Sequence, residues 1–298
     1  MKRKFFAALL TMLLCLFCFP GVVFADIGPK PSVEVAFEGM VGSWYVTLLS
    51  ESSSTGPYSV SDDSMSPGHW LAAQGNDAPE AWKAFRDYVD PDGYYFIEYF
   101  TPASESEPFR WTYYPPKRFK VLIWFPEDGS YAVTGILERY AFDSYFTADI
   151  SQMEAVTGTE NTPVFQVSKS YPYGWEVLSL VARIIGTILI EMLVALFFFP
   201  LGEKKVWRLI LAVNLATQTL LNLLLNLSNY VEGPWMFVFQ YIWMELVVFG
   251  LEAVVYSVWL HRRRPDTRHW VGPVYALVAN AASFGIGLFL ARVIPGIF

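Results

Sequence analysis

Cysteine is almost absent from this sequence. Cys15 and Cys18 are the two it has, and both fall in the first 25 residues. Once that leader is removed no thiol remains, which excludes disulfides, thiolate metal sites and cysteine nucleophiles together. Charge is also scarce: 16% of residues are Asp, Glu, Lys or Arg, against about 25% in a soluble domain. Histidine is limited to His69, His261 and His269. Enzyme signatures are missing as well. The sequence holds no HExxH, no GxSxG, no Walker A glycine loop and no dinucleotide fingerprint. Ser283-Phe284-Gly285 has no histidine at its depth. No catalytic residue and no cofactor is therefore assigned.

What is present is hydrophobic. Apolar residues make up 54% of the chain and aromatics 17%, and their distribution divides it. Residues 26–173 carry 21 acidic and 9 basic side chains, a net of −12. Residues 174–298 carry 7 and 9, a net of +2. The acidic half argues against nucleic acid as a partner, since phosphate recognition needs clustered Lys and Arg. The 298 residues suffice for two domains.

Residues 1–25 read as a secretory signal peptide. Lys2, Arg3 and Lys4 precede an apolar run from Phe5 to Phe19, Pro20-Gly21 breaks it, and Val23-Phe24-Ala25 offers a cleavage site before Asp26. An uncleaved anchor would want about 20 apolar residues. A lipid-anchor signal would want a small residue before its cysteine, where Leu14 and Phe17 stand.

Residues 26–173 read as an extracytoplasmic β-rich domain. Val33, Val35 and Phe37 share one strand face, Gly39 and Gly42 bracket a turn, and Trp44–Leu49 resumes as a strand. Arg118–Phe125 is a strong strand, Pro126-Glu127-Asp128-Gly129 a turn, and Ser130–Glu138 the hairpin partner. Tyr94–Phe100 and Phe109–Tyr114 are further strand candidates. The pattern predicts a β-sandwich of the Ig-like class. One helix interrupts it, with Asp77 as N-cap, Trp82, Phe85 and Val89 on one face, and Asp90-Pro91 as its stop. Residues 51–76 read as a long exposed loop. Asp90-Pro91-Asp92-Gly93 resembles the start of a calcium loop but lacks the later ligands, so it reads as a β-turn with solvated acids. His69 reads as a surface residue. Tyr94, Tyr95, Tyr99, Tyr113 and Tyr114 could form a sugar- or peptide-binding face, or simply the two faces of ordinary strands.

Residues 174–298 predict four transmembrane helices at 177–199, 206–227, 235–260 and 271–294, each long enough to cross about 30 Å of hydrocarbon. Basic residues cluster in the loops at 200–205 and 261–270, including Lys204, Lys205 and Arg262 to Arg264. The positive-inside rule puts both loops in the cytoplasm and the N-terminal domain and C-terminus outside, in a multi-pass protein of the cytoplasmic membrane. Trp175, Trp207, Trp235, Trp259 and Trp270 fall where an aromatic belt belongs.

The candidate site lies inside these spans. The first carries Arg183 and Glu191. The second carries Asn214, Gln218, Asn222 and Asn226 in four-residue steps, a polar stripe on one face. The third carries Glu245 and Glu252, and the fourth Asn280. At about 1.5 Å per residue, Glu191, Asn214, Glu245 and Asn280 come within about 5 Å of the middle of their spans. Glu252 and Arg183 sit about 7 Å to either side. Charge at that depth costs about 3 kcal/mol or more, so these groups should turn inward. Three carboxylates against one Arg leave −2, so protons or a bound cation must balance them. The expected intramembrane polar site comprises Glu191, Glu245, Glu252, Asn214, Asn280, Arg183 and Gln218. The competing reading is structural glue, in which such groups hold helices together at about 0.6 kcal/mol per contact.

Asp26-Ile-Gly-Pro-Lys-Pro-Ser-Val33, together with Phe119–Pro126 leading to Glu138–Phe146, resembles a family of uncharacterised membrane proteins from Gram-positive, clostridia-like bacteria. The resemblance extends through Asn214–Thr217 and Glu245–Glu252. It implies the same architecture and a cytoplasmic-membrane location, and it brings no activity and no site residues. The first functional expectation is a surface binding or sensing module, with the lipid bilayer and an envelope ligand or protein as partners. The alternative is a small transporter or ion- or proton-coupled protein using the buried carboxylates.

Overall fold

The computed structural model describes residues 28–39, 42–60, 78–151, 156–157, 162 and 164–293. The leader, His69, Asp77 and most of the 51–76 loop lie outside them. The chain divides into two compact units, with the break between Tyr171 and Pro172.

The first unit is β-rich. Its strands are β1 (Ser32–Glu38), β2 (Ser43–Ser50), β3 (Ser54–Thr55), β4 (Tyr58–Ser59), β5 (Phe100–Ser104), β6 (Phe109–Trp111), β7 (Arg118–Phe125), β8 (Ser130–Thr134), β9 (Leu137–Glu138), β10 (Asp143–Asp149), β11 (Val156–Thr157), β12 (Val164–Phe165) and β13 (Val167–Lys169). One sheet runs β13-β10-β1-β6 and the other β11-β8-β7-β2-β5, with β9 on the end of β7 and β12 on β8. β3 and β4 form a small hairpin inside the predicted loop.

Burial explains which strands were easy to read. β1 and β10 alternate buried with half-exposed residues, as strands with one covered face must. β7 is buried from Phe119 through Trp124, because both faces of its sheet are covered. One face meets the other sheet in a shared core containing Val33, Phe37, Trp44, Val121, Ile123 and Phe146. The opposite face carries Leu49, Leu122, Trp124 and Val133, packed under helix α1 (Pro79–Asp87) through Ala81, Trp82 and Phe85. The Tyr131 hydroxyl donates to the Ala84 carbonyl at 3.0 Å and ties the helix to the sheet.

Two local readings change. The helix ends at Asp87 rather than at Asp90-Pro91. Val89 is 73% exposed, and Tyr88 takes the buried place instead. The stretch from Tyr94 is not a strand before Phe100, apart from an isolated bridge between Tyr95 and Ser50. Glu98 sits there at φ +64°, a left-handed backbone that strand pairing does not tolerate.

The second unit is helical: α2 (Tyr173–Phe198), α3 (Lys204–Glu232), α4 (Pro234–Arg263) and α5 (Val271–Val293). All four are long and apolar enough to cross a membrane, which fits a multi-pass membrane protein. Their outward faces expose Leu189, Leu193, Phe197, Leu223, Leu246 and Phe289, while polar residues turn inward. Such inversion suits helices whose outer solvent is apolar. Gly272 lets α5 approach α4 closely: a Cβ there would stand 2.9 Å from the Ser257 amide nitrogen. At one end of the unit, Arg264 Nη2 lies 3.3 Å from Glu203 Oε1, joining the two basic loops.

Candidate functional site

The polar residues of the four helices turn inward for a simple reason. They face the other helices while the exposed positions are apolar, as Leu189 and Leu193 are on either side of Glu191. Glu191, Asn214 and Glu252 are fully buried, and Gln218, Asn222, Asn280 and Ser283 nearly so. The four-residue stripe on α3 keeps Asn214, Gln218 and Asn222 buried and leaves Asn226 half-exposed. The Asn222 amide donates back to the Gln218 carbonyl at 2.9 Å.

The seven expected site residues gather in the core of one bundle but fall into two groups. The first lines a cavity of about 360 Å³ to which every helix contributes. Arg183 comes from α2, Gln218 and Asn222 from α3, Tyr241 and Glu245 from α4, and Ser283 from α5. Its remaining walls are mostly apolar, with Leu221, Leu225, Phe237 and Phe284 among them. Arg183 is held at one side: it donates to the Asn226 amide oxygen, and its guanidinium stacks 5.4 Å from the Phe237 ring centre. Tyr241 lies within electrostatic reach of both Arg183 and Glu245. Gln218 Nε2, Glu245 Oε2 and Arg183 Nε have no hydrogen-bond partner. Small-molecule pockets in general combine a mostly apolar lining with a few polar groups in a chamber of this size.

The second group is denser. Glu252 accepts from the Thr217 hydroxyl and from the Asn280 amide, both at 2.8 Å. Asn280 also donates to Ala276 at 2.9 Å. The Ser283 hydroxyl reaches Glu191 Oε1 at 3.4 Å and the Asn280 carbonyl at 3.1 Å. The Tyr275 hydroxyl donates to the Glu191 carbonyl at 3.3 Å. Asn214 faces Glu191 and Tyr275, yet neither of its amide atoms closes a hydrogen bond of good geometry. Glu191, Glu245 and Glu252 are near enough to repel one another. Among the described residues no three His, Cys, Asp or Glu side chains form a metal-ligand group.

In the β-rich unit the candidates disperse. Tyr99 packs inward on Trp111 at 4.3 Å and Tyr58 at 5.5 Å, and its hydroxyl donates to the Arg110 carbonyl at 2.7 Å. Burial pushes its phenol up to about 12. Tyr113 and Tyr114 pack edge to face, and Lys30 lies over Tyr114. Tyr94 stands beside Lys120, and Tyr95 is exposed. The five tyrosines therefore form no single face. Asp90 departs from the expected turn with solvated acids. It is buried, takes the Asp92 and Tyr94 amides on Oδ2, and is paired with Lys120. Nothing in the local sequence signals this, because Lys120 lies 30 positions away in the middle of an apolar strand.

No protein-family model, curated protein or solved structure matches this chain.

Proposed function

We propose that this protein is a multi-pass protein of the cytoplasmic membrane whose helical bundle binds and passes a small polar solute. The observation that carries the reading is the cavity shared by Arg183, Gln218, Asn222, Tyr241, Glu245 and Ser283 from four helices. Helix glue does not call for a chamber, and it does not leave Gln218 Nε2 and Glu245 Oε2 without partners. An unpartnered buried polar group costs about 1–3 kcal/mol, and a solute that supplies the missing hydrogen bonds recovers it. The separated Arg183 and Glu245, with apolar walls between, suit a solute carrying polar ends on an apolar body.

The β-rich unit is read as an Ig-like β-sandwich on the outer side, and the two basic loops as cytoplasmic. The Arg264–Glu203 contact supports the second point by placing both loops at one end of the bundle. The outer unit would then serve as a surface binding or sensing module. Membership of the Gram-positive membrane-protein family that the opening residues resemble belongs to the same proposal.

The test is uptake into proteoliposomes, using a panel of labelled amino acids and small amines. Wild-type protein should move at least one solute above empty vesicles, and Glu245→Gln and Gln218→Leu should each abolish the excess while keeping the unfolding midpoint. Uptake indistinguishable from empty vesicles across the panel, or equal uptake by both variants, would sink the reading.

A further inference from the structure

The cluster beside the chamber has a chemistry of its own. Among the described residues of this cluster, four buried side-chain oxygens close no hydrogen bond of good geometry: Glu191 Oε2, Asn214 Oδ1, Tyr256 Oη and Asn280 Oδ1. Each comes from a different helix, α2 through α5 in order. They belong to one neighbourhood. Asn214 faces Glu191 and Tyr275. The Tyr256 and Tyr275 rings lie 5.2 Å apart, and both lie within electrostatic reach of Glu191 and Glu252. Asn280 is fixed by its amide nitrogen on Glu252, which leaves its oxygen over. Asn214 is fully buried between Glu191 and Tyr275, and neither of its amide atoms closes a hydrogen bond of good geometry.

Charge points the same way. Glu191 stands within electrostatic reach of two further carboxyls, Glu252 and Glu245. The nearby cation, Arg183, is engaged elsewhere, with Asn226 and within reach of Glu176 and Tyr241. Apart from the Asn214 amide nitrogen, the orphaned atoms of the cluster are oxygens, with no sulfur or imidazole among them, and such oxygens are the donors a hard cation takes. Valence follows from what remains free. Both Glu252 oxygens already accept hydrogen bonds and Glu245 lines the chamber, so within the cluster a single free carboxylate oxygen joins three neutral ones. A divalent ion takes several carboxylates; a set this poor in charge suits a monovalent ion.

We infer that Glu191, Asn214, Tyr256 and Asn280 bind a dehydrated alkali cation, sodium in the first instance, at the crossing of the four helices. Glu252 is a positioning residue that holds Asn280. The inference rests on the reading of the helices as a membrane bundle and not on the occupant of the neighbouring chamber.

The experiment uses the full chain in detergent, with no solute added. Thermal unfolding is followed while choline chloride is replaced by NaCl, LiCl, KCl or CaCl2 at constant ionic strength. Sodium should raise the midpoint saturably, by about 5 °C at a hundredfold excess over its dissociation constant. Glu191→Gln and Asn214→Ser should each weaken the apparent sodium affinity at least tenfold, and Glu232→Gln, at the end of α3, should retain it. Sodium-23 line broadening on the unaltered protein, reversed by lithium, should report the same site and requires no variant. Equal midpoints in choline and sodium, an undiminished sodium response in Glu191→Gln, or stabilisation by calcium or acid alone would overturn the assignment. Solute uptake is a separate readout, so a silent chamber leaves the sodium response standing, and a missing sodium response leaves solute uptake standing.

Discussion

Lys120 and Asp90 form a buried ion pair at the heart of the β-rich unit. The ammonium lies 2.8 Å from Oδ1 and 3.0 Å from Oδ2, and both side chains are almost wholly covered. Asp92 adds a second carboxylate at 2.6 Å from the partly exposed side. Desolvation alone would pull the Lys120 ammonium down, but the hydrogen bonds and charges of Asp90 and Asp92 outweigh it and hold its pKa above the usual value. Lys120→Met should cost about 3–5 kcal/mol, because Asp90 would stay buried without a counter-charge. Lys120→Met combined with Asp90→Asn should recover part of that loss. Urea unfolding of the detergent-solubilised protein measures both, and a Lys120→Met midpoint equal to wild type would refute the pairing.

Alkali should loosen the same unit. The Tyr99 phenol is raised from 10.0 to about 12 by burial, and Lys120 is raised as well. A group whose pKa is raised on folding contributes stability fully below its unfolded value, and the contribution disappears as pH climbs through the folded one. Stability should therefore hold to about pH 10 and fall between about 10 and 12. Absorbance near the phenolate band should show Tyr99 titrating late in wild type, and Tyr99→Phe should remove that late step. A step at the ordinary tyrosine pH would contradict the burial argument.

Two glycines on α5 should respond with opposite sign. At Gly272 an added Cβ meets the backbone of Tyr256 and Ser257 at 2.9–3.2 Å, whereas at Gly285 it meets nothing within 4 Å. Gly272→Ala should destabilise the bundle by about 1–3 kcal/mol through overpacking. Gly285→Ala should be neutral or stabilising by up to about 1 kcal/mol, as expected for a helical glycine. Thermal unfolding in detergent separates the two, and a stabilising Gly272→Ala would refute the close crossing.

Orientation is checked by labelling from one side. With Cys15 and Cys18 replaced by serine, a cysteine at Ser106 should react with an impermeant maleimide on intact cells. A cysteine at Thr267 should react only after the membrane is opened. The reverse pattern would invert the proposed topology.

How much of this was legible depends on whether the cause is local. Arg118–Phe125 could be read to the residue, because a strand covered on both faces shows as an unbroken apolar run. Asp143–Asp149 escaped as a strand, since its buried positions include the small Ser144 and Ala148, which blur the alternation. Its parallel partner β1 is not a neighbour in sequence. Helix α1 was foreseen, but not its end, because Val89 keeps the helical spacing while the backbone has already turned. In the bundle, the inward stripe was plain from four-residue steps. Its division in two was not. Glu245 and Glu252 share a face yet stand seven residues apart, about 10 Å along the axis. That is far enough for one to line a chamber while the other is sealed by Thr217 and Asn280.

The β1–β10 pairing sets an order of events for the newborn chain. Ser32 meets Asp143 across 111 positions, and the two strands stay in parallel register to Glu38 and Asp149. β1 is among the first strands to be synthesised and the last to find this neighbour. Until residue 149 is available, one whole edge of β1 has no strand beside it, and long-range pairing of this kind is slow to close. A cell making this protein must therefore shelter an early, sticky edge for most of the time the unit takes to emerge. Variants that slow β10 should betray themselves first as lost yield rather than as lost activity.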